Sequence, residues 1–188
     1  MRGCELATIL IIGGARSGKS RFAQELAKRL GQPILFVATA EAGDEEMRQR
    51  IEEHRHARPA AWRTLEVPAR VGQHIVQKIG AVKVVIIDCV TLLVSNVLNQ
   101  FLDPTGDSID ATGAEKAVNH EINELIDCLN RVAASFIIVT NEVGMGLVPV
   151  NKVGRLYRDL LGKANQRLSG RADEVYLMVA GRPVKIKP

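Results

Sequence analysis

Eight residues near the start of the chain, Gly13-Gly14-Ala15-Arg16-Ser17-Gly18-Lys19-Ser20, match the pattern G-x-x-x-x-G-K-[ST] at every fixed position. The glycines let the backbone curl so that several N–H groups converge on phosphate oxygens, beside a helix N-terminus that carries positive potential. In such a loop Lys19 reaches the β- and γ-phosphates and the Ser20 hydroxyl helps hold Mg²⁺. The pattern carries weight only between a strand and a helix. Here the apolar run of residues 6–12 precedes it and a helical pattern over residues 21–30 follows. The implied ligand is a nucleoside triphosphate. Asp88 closes another apolar run, residues 84–87, where an acid orients Mg²⁺ directly or through water; it could also cap the segment starting near Thr91.

A third set surrounds His54. Residues 44–59 read as a helix with an acidic start, ended by Pro59. Met47, Ile51 and His54 fall at i, i+4 and i+7, so His54 shares the apolar face. Two readings stand: a half-buried histidine beside a basic helix end, which the residues alone favour, or a nucleophile. Imidazole is substantially neutral near pH 7 and attacks phosphorus without a separate base. Arg55 and Arg58, within one turn, suit charged phosphates. His56 points to another face, and His74 has no evident partner. Residues 62–66 read as a short strand, where Glu66 could accept hydrogen bonds from guanine or serve as a surface charge. Thr140-Asn141-Glu142-Val143-Gly144-Met145-Gly146 closes the run at 136–139 with a polar, glycine-bearing loop suited to substrate contact.

The elements that must position these residues follow from hydrophobic period. Continuous apolar runs at 34–38, 84–87, 136–139 and 175–179 suit a parallel sheet covered on both faces. Helical spacing recurs through Val118, Ile122, Leu125, Ile126 and Leu129, and again from Val153 to Leu168. The expected architecture is α/β, a P-loop NTPase fold of the RecA-like kind. Its sheet is mainly parallel, with helices on both faces and a C-terminal β-hairpin in which Gly181-Arg182-Pro183 separates the strands. Residues 103–113 read as a polar loop. At 188 residues, 46% apolar and 24% charged, one domain over residues 1–188 is expected. No apolar run reaches a membrane span and no signal peptide opens the chain, so a cytoplasmic protein is expected. Cys4, Cys89 and Cys128 form neither a disulfide framework nor a zinc pattern. A net charge of +4 suits anionic substrates, and 4% aromatics argue against a base-stacking nucleic-acid surface.

With these segments in view, the chain resembles, nearly end to end, the bifunctional adenosylcobinamide kinase / adenosylcobinamide-phosphate guanylyltransferase family of cobalamin biosynthesis. The carriers are the P-loop with Arg21, then Ala38-Thr39-Ala40, then Asp44-Glu45-Glu46-Met47, Arg50-Ile51, His54 and Arg58-Pro59. Trp62-Arg63-Thr64 with Glu66, the segment from Thr140 to Gly146 with Val148-Pro149, Asn165-Gln166-Arg167-Leu168 and Val184-Lys185-Ile186-Lys187 complete them. The resemblance implies that ATP or GTP phosphorylates the aminopropanol hydroxyl of adenosylcobinamide. A histidine then attacks the α-phosphate of GTP, and its GMP passes to the cobinamide phosphate to give adenosyl-GDP-cobinamide. It places the nucleophile on His54, with Lys19 also catalytic. Nucleotide contacts fall on Gly13, Gly14, Ala15, Arg16, Ser17, Gly18, Lys19, Ser20, Ala38, Thr39, Ala40, Arg55, His56, Ala57, Arg58, Glu66 and Asp88, with Mg²⁺ on Ser20 and Asp88. A homotrimer is implied as well.

His56 departs from the family pattern by adding a second imidazole. Two residues of helix set the two histidines about 200° apart, so only one faces the triphosphate, and the match with Arg58-Pro59 selects His54. Moving γ- and α-phosphates at one site implies that the helix bearing His54 shifts when GTP binds. Two rivals remain: a small-metabolite kinase without nucleotidyl transfer, and a nucleotide-dependent binding switch. The second is weakened because Asn151-Lys152-Val153-Gly154 lacks the aspartate of a base-reading N-K-x-D segment.

Overall fold

A computed structural model of the chain describes residues 6–43, 45–56 and 58–187, apart from the side chain of Arg50. The elements run β1 (Thr8–Gly13), α1 (Lys19–Leu30), β2 (Ile34–Ala38), α2 (Glu45–His56), β3 (Arg63–Glu66), α3 (Val71–Lys78) and β4 (Val84–Asp88). There follow α4 (Val90–Asn99), α5 (Ala111–Arg131), β5 (Ser135–Asn141), α6 (Lys152–Arg171), β6 (Glu174–Val179) and β7 (Arg182–Lys187). They build one seven-stranded sheet in the order β3-β2-β4-β5-β1-β6-β7, parallel throughout except for the antiparallel β6–β7 pair.

The continuous apolar runs are explained by the two-residue period of a strand, which sends neighbours to opposite faces. Leu35, Val37, Val85, Ile87, Phe136 and Ile138 enter one core with α3, α4, α5 and α6. Their neighbours Ile34, Phe36, Val84, Ile86, Ile137 and Val139 enter a second core, over which α1 lays Ala23 and Ala27. Each large side chain so buried stabilises the fold by about 1.5–3 kcal/mol. Phe22, Leu26 and Leu30 of α1 and Tyr176 pack against this second core as well, and Trp62 is part of it. Among the described residues no helix is long and apolar enough to cross a membrane.

Side chains tie the sheet to its helices at a few points. The buried Glu121 carboxylate of α5 accepts the N–H groups of Arg70 and Val71 at 2.8 and 2.9 Å, supplying the first turn of α3 with acceptors. A Cβ at Gly72 would lie 2.5 Å from the Glu124 carbonyl oxygen, so the close approach of α3 to α5 requires glycine there.

Three expectations shift. The hairpin turn is Ala180-Gly181, both with positive φ (48° and 76°), and Arg182-Pro183 already belong to β7. That two-residue geometry matches the twist of the flanking strands. The polar loop ends at Asp110, whose side chain accepts from the Gly113 N–H at 3.0 Å, so residues 111–113 form the first turn of α5. Among the described residues α2 runs to His56, and Arg58 and Pro59 lie outside it.

Candidate active site

Strand register brings the site together. Ala38 at the end of β2 is paired with Glu66 of β3 on one side and Asp88 of β4 on the other. Gly13 at the end of β1 is paired with Asn141 of β5. Residues far apart in the chain therefore line one carboxyl edge, where open α/β sheets bind ligands.

Gly13 and Gly18 shape the P-loop. A Cβ at Gly13 would meet the Met178 carbonyl oxygen at 2.7 Å, and Gly18, the N-cap of α1, has φ 93°. Both conditions favour glycine. Gly14, Ala15 and Arg16 are exposed. Lys19 is buried and its Nζ donates to the Gly14 carbonyl at 2.6 Å, arching across the loop. Burial pulls its pKa down, against the opposing pull of Cys89 and Asp88. The Ser17 Oγ is buried without a partner.

Asp88 faces this loop. Burial pushes its carboxyl pKa up, while a hydrogen bond from Ser20 and the charges of His54, Arg58 and Lys19 pull it back. Its Oδ2 is covered and has no hydrogen-bond partner. Two hard oxygen donors, Ser20 and an orphaned carboxylate oxygen, fit Mg²⁺, which takes one or two protein ligands and completes its shell from phosphate and water.

His54 is exposed, which corrects the half-buried position expected from its spacing; Met47 and Ile51 on the same face are themselves only half-buried. Period tells which residues share a face, whereas α2 has too few apolar residues to press that face onto the core. The charge of His54 helps hold down the Asp88 carboxyl, which burial pushes up. No hydrogen bond ties its ring to the described residues. His56 and His74 differ: each has Nδ1 against the carbonyl four residues back, Glu52 at 2.8 Å and Arg70 at 2.9 Å.

Arg55 in the last turn of α2 and Arg58 just beyond it are each engaged. Arg55 donates to both Glu66 oxygens at 2.7 and 2.5 Å, holding that carboxyl below the usual glutamate range. Glu66 thus has a guanidinium partner in this state. Arg58 stacks 4.1 Å over the Phe36 ring, which in turn lies against Trp62. Its Nε and Nη1 are buried and unpartnered, and burial lowers its pKa. A cation on an aromatic shelf with two donors unspent is suited to an incoming anion. Nothing local in the sequence signalled Phe36, because its partner is 22 residues away.

Thr39 is fully buried, and its hydroxyl donates to the Cys89 carbonyl (2.7 Å) and accepts the Cys89 N–H (2.8 Å). It braces β2 to β4, leaving Ala38 nearly covered and Ala40 half-buried. Ala57 and Asp44 lie outside the described residues. Beyond β5, the Glu142 N–H donates to the Gly13 carbonyl at 3.1 Å, so the 140–146 segment is rooted beside the P-loop. Buried Asn165 accepts from Thr140 Oγ1 and donates to the Asn141 carbonyl, a role for that family-matching residue that spacing did not show.

Comparison with known proteins agrees with this geometry. The family model "Cobinamide kinase / cobinamide phosphate guanyltransferase" matches residues 9–186. The chain is 44% identical over 180 residues to the bifunctional adenosylcobalamin biosynthesis protein CobU of Escherichia coli K12, covering 95% of this chain and 99% of that one. It is 42% identical over 182 residues to CobU of Salmonella typhimurium, with the same coverage, and 39% identical over 178 residues to CobP of Pseudomonas aeruginosa, covering 95% and 96%. Among solved structures, the RadB recombinase aligns with TM-score 0.51 at 12% identity, over 91% of this chain and 73% of that one. The type III secretion ATPase EscN of enteropathogenic E. coli aligns with TM-score 0.53 at 12% identity, over 93% and 43%. Those two likenesses bear on fold alone, and that fold is of the RecA-like P-loop kind. Cradle, acid and aligned strand ends, matched across nearly the whole chain, lead to one assignment: this protein belongs to the cobinamide kinase / cobinamide phosphate guanylyltransferase family.

Proposed function

We propose that one domain carries out two transfers at this edge. In the first, the γ-phosphoryl group of ATP or GTP moves to the aminopropanol hydroxyl of adenosylcobinamide. In the second, the His54 imidazole attacks the α-phosphorus of GTP. A P–N bond forms, the bond from the α-phosphorus to the bridging oxygen breaks, and pyrophosphate leaves. The cobinamide phosphate then displaces the imidazole to give adenosyl-GDP-cobinamide. The observation that carries this reading is the exposed ring of His54, without a hydrogen bond to the described residues, in a chain whose P-loop holds Lys19 buried across it.

The residues divide the work. Backbone N–H groups from Gly13 to Ser20 orient the phosphates. Lys19 exchanges its bond to the Gly14 carbonyl for phosphate oxygens, and Arg58 offers two unspent donors to the charge that develops on them. Ser20 and Asp88 would hold Mg²⁺, which would offset phosphate charge when bound. Arg55 and Glu66 set the position of α2; guanine recognition by Glu66 requires Arg55 to share or release it. Because the γ- and α-phosphates must each reach their acceptor, α2 shifts when GTP binds. A homotrimer acting in the cytoplasm completes the reading.

The test is incubation with α-³²P-GTP and Mg²⁺, followed by intact mass and peptide mapping. Acid-labile, alkali-stable label, one added GMP and its location on His54 are expected. His54→Ala should lose the label and guanylyl transfer yet keep measurable kinase activity. Full transfer by that variant would end the two-step scheme. A protein that phosphorylates cobinamide without ever taking label is instead the simple kinase.

A further inference from the structure

We propose that the loop from Gly144 to Val150, with the hollow beside it, seats the corrin macrocycle of the substrate. This inference rests on the function just proposed and deepens it. Met145, Leu147, Val148 and Val150 are 82, 96, 64 and 97% exposed, a concentration of apolar side chains on one short loop. Contiguous apolar surface of this kind marks an interaction site.

Both ends of the loop are built in. At its start, Glu142 is bonded to the Gly13 carbonyl, Asn141 N–H donates to Thr91 Oγ1 at 2.7 Å, and Asn165 holds the Asn141 carbonyl. At its end, Arg155 donates to the carbonyls of Pro149 (3.0 Å) and Val150 (2.5 Å), and Asn151 caps α6 by accepting the Gly154 N–H. The apolar tip is therefore displayed by anchored backbone, rooted at the phosphate cradle.

Beside it lies a hollow of about 350 Å³ between the end of α4, residues 106–107 and the start of α6. Ser95, Asn99, Asp107, Asn151 and Tyr157 supply its polar lining. A corrin has broad faces of ring and methyl groups and a rim of neutral carboxamides, which need apolar cover and amide or hydroxyl partners respectively. The hollow is at the small end for ligand sites and takes one edge of such a ring, while the exposed loop covers a face. The cradle itself, lined by Lys19, Asp88 and Arg58, offers no such surface, so the substrate's bulk must rest outside while its hydroxyl arm reaches in.

The experiment compares wild type with the double variant Leu147→Asp/Val150→Asp and with Asn99→Ala, all at exposed positions outside the nucleotide machinery. Dicyanocobinamide binding is read by equilibrium dialysis through its own absorbance, beside α-³²P-GTP labelling and mass by light scattering. We expect the double variant to bind the corrin about tenfold or more weakly, Asn99→Ala to weaken it several-fold, and labelling and mass to stay unchanged. Unaltered corrin binding in the double variant, with wild type binding normally, overturns the loop assignment and leaves the proposed function standing. A change in oligomeric mass without loss of corrin affinity assigns the loop to a subunit contact and overturns it equally. Wild type that binds no corrin overturns both.

Discussion

Replacing Arg58 by methionine should separate a binding residue from a structural one. The guanidinium lies 4.1 Å over Phe36 with Nε and Nη1 covered and unpartnered. In the nucleotide-free protein the substitution loses a cation–π contact of about 0.5–2 kcal/mol. It also removes buried donors whose lack of partners costs about 1–3 kcal/mol, and methionine still covers the ring. These terms nearly cancel, so the free protein's Tm should move by no more than about 4 °C, given roughly 2–4 °C per kcal/mol at this size. With nucleotide the balance changes. One or two charge-assisted hydrogen bonds to phosphate are lost, about 2–4 kcal/mol, which is roughly 30- to 1,000-fold in Kd. The assay is a thermal shift with and without GTP and Mg²⁺, backed by calorimetric titration. Should the free variant lose 10 °C while GTP affinity holds, Arg58 is a structural brace and the reasoning is wrong.

Other outcomes follow from the same geometry. Asp88 has its carboxyl raised by burial, so on acidification it protonates above the ordinary 3.8, and Mg²⁺-dependent nucleotide binding should fall with a midpoint above that value. A raised folded-state pKa means the native state holds the proton more tightly, so this group's contribution to stability increases as pH falls through that window. Loss of binding without unfolding, read by calorimetry beside circular dichroism, is expected; Asp88→Asn should bind weakly at every pH, and a wild-type midpoint below 3.8 would contradict the assignment. Glu121→Ala orphans the N–H groups of Arg70 and Val71. At about 1–3 kcal/mol each, Tm should drop about 5–15 °C with little change in GTP affinity per folded molecule; an unchanged Tm would show that water replaces the carboxylate freely.

The chain's own order of residues determined the P-loop, the strand bearing Asp88, the alternation of strands and helices, and the family. Those features are local: a phosphate cradle, a strand's apolar run and a helix's period are each written within about 10–20 contiguous residues. Tertiary structure decided the rest. Only the strand order sets Glu66, Ala38 and Asp88 side by side, because register between strands is settled by packing across the sheet. Only folding lays Arg58 on Phe36, commits Glu66 to Arg55, and turns the Thr39 hydroxyl inward as a brace. His54 shows the boundary most clearly. Its spacing grouped it correctly with Met47 and Ile51, yet whether anything covers that face depends on what the rest of the chain brings to it. Nothing among the described residues buries it, and the ring stands exposed.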